Sequence, residues 1–228
     1  MKHTFNNMLI IAFLLSATHY SAMHAAEQAV VPAQQIMQWF LPFSEQDKKI
    51  AQEKRNLLTQ EEKNNLDALL INVINNKNKN LIEWQKTDVV TIRTLLRAGA
   101  DAKAKTKIGR PIIVEAAIPV DAALILADLI EAGADPNALD KKTGGTALLY
   151  AICHALTVNV QVLLDKGANS KLKTKNNVFC AREGEMLTAL EFARIVPTWG
   201  RNENDPKSIA MAKIITMLEG HNNKELCD

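Results

Sequence analysis

The stretch LLRAGAD at residues 95–101 returns as LIEAGAD at residues 129–135 and as LLDKGAN at residues 163–169. Successive copies lie 34 residues apart. Each copy ends an apolar helical pattern with a glycine, which closes a helix in the left-handed backbone conformation without the strain that a side chain brings. The repeat therefore predicts helical units that end at Gly99, Gly133 and Gly167.

A second motif lies between the copies. TALLYAI at residues 146–152 and TALEFA at residues 188–193 are related, and PIIVEAA at residues 111–117 is a looser copy. A threonine ahead of a short apolar helix acts as an N-cap, which stabilises the helix by about 1 kcal/mol relative to alanine. The motif predicts a short helix in each unit, with Thr146 and Thr188 as caps.

Together the two motifs resemble the ankyrin-repeat family, whose unit of about 33 residues has a β-hairpin-like turn and two antiparallel helices, the first of which begins with Thr-Pro-Leu-His. The best single match is residues 133–169, and the resemblance covers residues 65–221. It implies an all-α solenoid of about four repeats with degenerate repeats at both ends. The family histidine is replaced by Val114, Leu149 and Glu191, which implies repeats less rigid than the consensus.

The N-terminal side of this region predicts two further helices. TQEE at residues 59–62 has the spacing of a capping box, and the apolar residues after it lie on one helical face. Residues 43–58 predict a solvated charged helix capped by Ser44, and the apolar residues 36–43 are expected to dock on the first repeat. For this extension, residues 26–64, the alternative is a mobile tail. The apolar face after the capping box comprises Leu66, Leu69, Leu70, Val73 and Ile74.

The N-terminus has the three parts of a secretory signal. Lys2 lies in a short polar start, a ten-residue apolar core occupies residues 8–17, and small residues follow up to Ala25 and Ala26. Residues 1–25 are therefore predicted to be a signal peptide, and the alternative is an uncleaved membrane anchor. Because the apolar run is too short to span a bilayer, we expect an exported chain, periplasmic or secreted, without stable membrane insertion after cleavage.

Composition and motifs favour a protein without catalytic, metal or cofactor-binding residues. The formal net charge of +2 does not indicate a basic nucleic-acid-binding face. The sequence has no Gly-rich phosphate loop, Gly-x-Ser-x-Gly or His-Glu-x-x-His motif. Only His154 and His221 remain after signal removal, which leaves little for a metal site. A weaker alternative is an enzyme that uses Glu183 and Glu185 in a loop insert.

The three cysteines predict one disulfide and one core residue. Free cysteine is readily buried, so Cys153 is expected to pack in the core. Cys180 lies in the loop before the last repeat and Cys227 in the C-terminal tail, residues 222–228. Because an exported chain meets an oxidising compartment, and successive loops of a solenoid stack together, we predict a disulfide between Cys180 and Cys227.

Basic residues cluster in the predicted hairpin tips. The resemblance stacks these tips, which predicts one basic row that docks an acidic protein or an anionic surface. The alternative is that the cations only solvate exposed loops. Two further cations, Lys141 and Lys142, fall in the middle tip. The candidate partner-binding cations are Lys103, Lys105, Lys107, Arg110, Lys171 and Lys173.

Three aromatic residues are candidate anchors for the partner, because aromatic side chains are enriched at interface centres. Trp84 and Trp199 lie in inserts of the first and last repeats, and Tyr150 lies on an inner helix, where it is expected on the concave floor. The alternative is that each insert folds back and buries its tryptophan. These expectations describe a non-enzymatic protein–protein interaction module. The runner-up is an inhibitor or immunity-type protein that blocks an exported enzyme.

Overall fold

The computed structural model describes residues 41–80, 86–175, 186–196 and 205–224. In these ranges the chain is mostly helical, which confirms the helical class. The strands β1 (Thr174–Lys175) and β2 (Met186–Leu187) form a single antiparallel pair. The described helices are α1 (Glu45–Leu57), α2 (Gln60–Asn80), α3 (Lys86–Ala98), α4 (Ile112–Ala116), α5 (Ala123–Glu131), α6 (Ala147–Cys153), α7 (Thr157–Asp165), α8 (Ala189–Ile195) and α9 (Pro206–Lys224).

The helices pack in two layers. In one layer α2, α4, α6 and α8 are neighbours in that order, and in the other α3, α5, α7 and α9 follow the same order. Each helix of the first layer also contacts the next helix along the chain, so the described helices form four successive pairs. Helix α1 packs on α3. The arrangement places one apolar core between the layers, with contributions from every pair.

The core is built from the apolar stripes that the sequence shows. In α2 the side chains of Leu66, Leu70 and Ile74 are buried, and Leu69 and Val73 pack partly against the core. These residues recur at i, i+4 and i+8, one face of a helix. The expected face of α2 is therefore confirmed.

Helices α3, α5 and α7, whose C-terminal residues belong to the repeated stretch, end in the same way. The glycines adopt positive φ angles of 103°, 106° and 87° at Gly99, Gly133 and Gly167. After α3, the N–H of Gly99 donates to the carbonyl of Leu96 and the N–H of Ala100 to that of Leu95, both at 3.0 Å. The equivalent bonds follow α5 and α7. This is the Schellman pattern, so the predicted helix ends are confirmed.

Of two glycines with similar backbone conformation, Gly99 is the more sensitive to substitution. A Cβ at Gly99 would lie 3.2 Å from the Ala51 carbonyl oxygen and from the backbone of Arg55 in α1, whereas nothing lies within 4 Å of one at Gly167. We expect Gly167→Ala to lower the free energy of unfolding by about 1–2 kcal/mol, the left-handed strain alone. Gly99→Ala should cost more because α1 must shift. Urea denaturation of both variants measures the difference, and equal losses would contradict the contact with α1.

The predicted helix caps are present. Thr146 accepts a bond from the N–H of Leu149 at 3.4 Å. Thr188 and Glu191 form a reciprocal capping box, as Thr59 and Glu62 do. The carboxylate of Glu191 thus accepts hydrogen bonds at the N-terminus of its own helix.

Helix α1 is docked, whereas the sequence predicted a solvated helix. It is capped by Ser44 as expected, but its charged residues pair with the helices beneath it. Asp47 accepts from Arg97 of α3 at 2.9 Å, and Arg55 donates to Asp67 of α2 at 2.8 Å. The partners are distant in sequence, which is why the helix's own pattern did not reveal the docking.

The extension meets the second layer at Phe43, which is buried. Phe43 contacts the first helix pair at Arg97 of α3, as expected, and it also bonds the second pair at Asp128 of α5. Residues 1–40, including the predicted signal peptide, lie outside the described residues. The boundaries expected at 65 and 221 fall within α2 and α9. Among the helices of the described ranges, none has the length and apolar character needed to cross a membrane.

Candidate protein-docking edge

Three hairpin tips begin with the same side-chain-to-backbone bond. The first polar residue after each helix-closing glycine and alanine accepts a hydrogen bond from the N–H two residues further on. Such Asx turns fix the start of a loop. The bonds join Asp101 to Lys103 at 2.8 Å, Asp135 to Asn137 at 2.9 Å and Asn169 to Lys171 at 2.9 Å.

In the first tip exposed residues alternate with more enclosed ones. Lys105 forms an antiparallel bridge with Pro111, and Lys103 and Lys107 lie in the turns on either side of it. Lys103, Lys105 and Lys107 are exposed, whereas the intervening Ala102, Ala104 and Thr106 are buried or half-buried. The first tip therefore presents three ammonium groups to solvent.

The other two tips repeat these positions at the 34-residue spacing. In the second tip the equivalent residues are Asn137, Leu139 and Lys141, of which Leu139 and Lys141 are exposed. In the third tip Lys171 and Lys173 are exposed. We call the whole set the docking edge. It comprises Lys103, Lys105, Lys107, Asn137, Leu139, Lys141, Lys171 and Lys173.

Side chains tie neighbouring tips to each other. The Asn137 Oδ1 accepts from the N–H of Asn169 at 2.7 Å, and its Nδ2 donates to the carbonyl of Gly167 at 3.3 Å. At the base of the first tip, Arg110 Nε donates to Asp140 Oδ2 at 2.9 Å. These bonds hold successive tips side by side, so the lysines form part of one continuous edge.

Arg110 and Tyr150, which were expected to contact the partner, take part in an internal cluster. The guanidinium of Arg110 pairs with Asp140 and, at 3.1 Å, with Glu115, and it lies 5.2 Å from the centre of the Tyr150 ring. The Tyr150 side chain is only 2% exposed, and its hydroxyl donates to Asp140 Oδ2 at 2.9 Å. A buried carboxylate needs several hydrogen-bond donors. Here Arg110 and Tyr150 both donate to the carboxylate of Asp140.

The environment of Asp140 favours its charged form. Burial raises the pKa of this carboxyl, but bonds from the Lys142 N–H, Tyr150 and Arg110 outweigh burial and lower the pKa below its usual value. Burial, together with the bond to Asp140, raises the pKa of Tyr150 to about 12. The cluster is thus an ionised carboxylate held by a cation and a protonated phenol, and it braces the first two tips.

Stability should depend on pH through Asp140. Because its pKa is lower in the folded chain, the carboxylate contributes stability above the unfolded value of about 4 and loses it as pH falls through the folded pKa. We expect Asp140→Asn to be less stable than the native chain at pH 7, with the gap narrowing below about pH 4. Urea denaturation of both chains across this range measures the gap. A gap independent of pH would contradict the assignment.

Several residues singled out from the sequence lie elsewhere. Trp84, Trp199, Glu183, Glu185 and the pair Cys180 and Cys227 lie outside the described residues, so the disulfide and the tryptophan anchors stay predictions. Cys153 is half-buried at the end of α6 and packs against the core, so it is less enclosed than expected. Within the described ranges, no group of His, Cys, Asp and Glu side chains could hold a metal ion.

Sequence reasoning missed Asn137, Leu139 and Asp140 as members or supports of the edge. The available indication was the register, since Asn137 and Leu139 lie 34 residues after Lys103 and Lys105.

No protein-family model matches the chain, and a search of the curated proteins found no match.

Proposed function

We propose that this chain is a non-enzymatic, exported ankyrin-repeat protein that binds an acidic protein partner through the docking edge. The observation that carries the proposal is the row of exposed lysines on tips that are bonded to each other. A fixed row of like charges lowers the stability of the fold through self-repulsion. An anionic partner offsets this repulsion, so the row favours binding of such a partner.

The ankyrin assignment rests on several independent features. The 34-residue spacing, the glycines with positive φ and the four helix pairs in two layers all agree with the family pattern. The N-terminal signal pattern supports export. Solenoids offer extended surfaces that bind other proteins, which supports a binding module.

The mode of binding follows from the charges. Exposed ammonium groups contribute little to affinity individually, but together they steer an acidic partner to the edge and raise its association rate. Salt screens such charges, with a screening length of about 8 Å at physiological ionic strength. Binding should therefore weaken as salt rises.

Charge reversal tests the proposal. The tagged chain from Ala26 onward is used to capture partners from extracts of the producing cell at two salt concentrations. Lys103→Glu/Lys107→Glu reverses two lysines of the edge, and the matched control Lys49→Glu/Lys213→Glu reverses two exposed lysines that lie in helices α1 and α9 and not in the tips.

Both variants change the formal charge equally. We expect a saturable acidic partner whose capture falls at least about tenfold with the edge variant, the equivalent of about 1.4 kcal/mol, and is unchanged with the control. Circular dichroism of both variants checks folding. Equal capture by edge variant and control would show that the edge is not the binding surface.

A further inference from the structure

The docking edge is not uniformly basic. At the middle position of the three tips the residues are Lys105, Leu139 and Lys173, each 34 residues from the next. All three are exposed, and 46% of the Leu139 surface is open to solvent. The second tip therefore presents an apolar side chain where its two neighbours present ammonium groups.

The flanking tip positions sharpen this contrast. Asn137, which is equivalent to Lys103 and Lys171, uses its amide to bond the third tip and carries no charge. Ile108, next to Lys107 in the first tip, is 62% exposed. In the second tip the first two positions of the docking edge are therefore uncharged, and only the third, Lys141, carries a cation.

The spacing of the tips sets the spacing of a ligand. Packed helices lie about 8–10 Å apart, and the tips follow the helix pairs, so the first and third tips are about 16–20 Å apart. A segment in the extended polyproline II conformation advances about 3.1 Å per residue and has three residues per turn, so every third side chain faces the same side. About three residues of such a segment span the distance between neighbouring tips, and about six span the distance from Lys105 to Lys173.

From this pattern we infer that the docking edge binds an extended acidic segment with an apolar residue at its centre. In the polyproline II conformation one acidic residue pairs with Lys105, an apolar residue about three positions later covers Leu139, and a second acidic residue about three positions further pairs with Lys173. The inference rests on the proposed function, since it names the kind of segment that the partner presents.

Specificity follows from the middle position. An acidic residue directly above Leu139 would lose hydration against an apolar side chain, whereas an apolar residue there removes the exposed leucine surface from water. The edge therefore selects an acidic–apolar–acidic order over a uniformly acidic segment, using both an attractive and a repulsive element.

Two synthetic peptides of identical composition test this order. The first, Glu-Glu-Ser-Leu-Ser-Glu-Glu, has its leucine at the centre, and the second carries the leucine at its N-terminus. Binding of each to the chain from Ala26 onward is measured by fluorescence anisotropy at low salt. We expect the first peptide to bind about tenfold more tightly, as expected for partial burial of a leucine.

Two variants locate the contacts. Leu139→Ser should abolish the difference between the peptides while leaving the weaker binding in place. Lys105→Glu/Lys173→Glu should weaken the binding of both peptides, and the control Lys49→Glu/Lys213→Glu should weaken neither. Leu139 is a surface side chain, so folding of its variant is checked by circular dichroism alone.

The outcomes separate the inference from the proposed function. Equal affinity of the native chain for both peptides, or no binding of either, overturns the acidic–apolar–acidic order. In both cases the proposed function still depends on whether partner capture is lost with the edge variant. A tenfold preference that persists in Leu139→Ser also overturns the inference, because the apolar contact would then lie elsewhere.

Discussion

Replacement of Asp128 by alanine is expected to lower the free energy of unfolding by about 3–5 kcal/mol, the usual cost of removing one partner of a buried ion pair. Asp128 is 2% exposed in α5. Its Oδ2 accepts from Arg93 Nε at 2.7 Å, and its Oδ1 accepts from the N–H of Phe43 at 3.0 Å. Alanine would leave the buried guanidinium of Arg93 without this carboxylate.

The substitution should also affect the N-terminal extension, because the Asp128 carboxylate accepts a hydrogen bond from Phe43 of that extension. Phe43 lies two residues before α1, so its bond to Asp128 fixes the point where the extension meets the second layer. Loss of the bond should also expose the region around Phe43. Hydrogen exchange at the Phe43 amide should therefore accelerate in the variant.

A surface aspartate provides the control. Asp165 is exposed in α7 and accepts from Gln161 at 2.8 Å, so Asp165→Ala should change stability by no more than about 0.5 kcal/mol. Asp128→Asn, which keeps an acceptor for Phe43 but removes the charge, should fall between the two. Urea denaturation at pH 7 measures all three. A loss in Asp128→Ala as small as in the control would show that the pair does not stabilise the fold.

The features that the sequence predicted are local in the chain. Gly99, Thr188 and the capping pair Thr59 and Glu62 act on backbone within a few residues of themselves. Their geometry follows from residue type and spacing, so the helix ends and starts were predicted. The order of the helix pairs follows from the repeat for the same reason.

The buried polar contacts could not be predicted because they join distant residues. Asp128 contacts Arg93 and Phe43, which lie 35 and 85 residues away. In the sequence it is one polar residue inside the apolar stripe LILADLIE of α5. That interruption is the only local indication, and it does not name the partners.

At the docking edge, the sequence predicted which side chains are charged, but it did not predict in which direction each side chain points. Lys103, Lys105 and Lys107 of the first tip are exposed as expected, and so are Lys171 and Lys173 of the third. Arg110 has the same charge and lies in the same tip, but it turns inward to Asp140. The energy of burying the Asp140 carboxylate decides this direction, and that burial depends on packing between two tips.

The second large effect is expected at Asn159, which is fully buried in α7. Its Oδ1 accepts from the N–H of Ala122 at 3.1 Å. Its Nδ2 donates to the carbonyls of Ala117 at 3.2 Å and Pro119 at 2.9 Å. One amide therefore satisfies three backbone groups of the loop between α4 and α5, where Asp121 adopts a positive φ of 57°.

Asn159→Ala should lower the free energy of unfolding by about 3 kcal/mol, since each buried polar group left without a partner costs about 1–3 kcal/mol. Asn159→Asp tests the direction of the bonds. A carboxylate keeps the acceptor for Ala122 but faces the carbonyls of Ala117 and Pro119 without a proton to donate. It should be at least as destabilising at pH 7 and should recover part of the loss as acid protonates it.

Gln161→Ala is the matched control in the same helix, since Gln161 is exposed and bonds only the neighbouring turn among its described contacts. Its stability should stay within about 0.5 kcal/mol of the native chain. Urea denaturation of the three variants at pH 7 and pH 4 measures these differences. If Asn159→Ala and Gln161→Ala lost the same small amount, the three backbone groups would have other partners. If Asn159→Asp did not recover in acid, the carboxylate would not face the two carbonyls. We expect a large loss of stability for alanine and a pH-dependent loss for aspartate. This pattern would show that the hydrogen bonds of Asn159 join the second helix pair to the third.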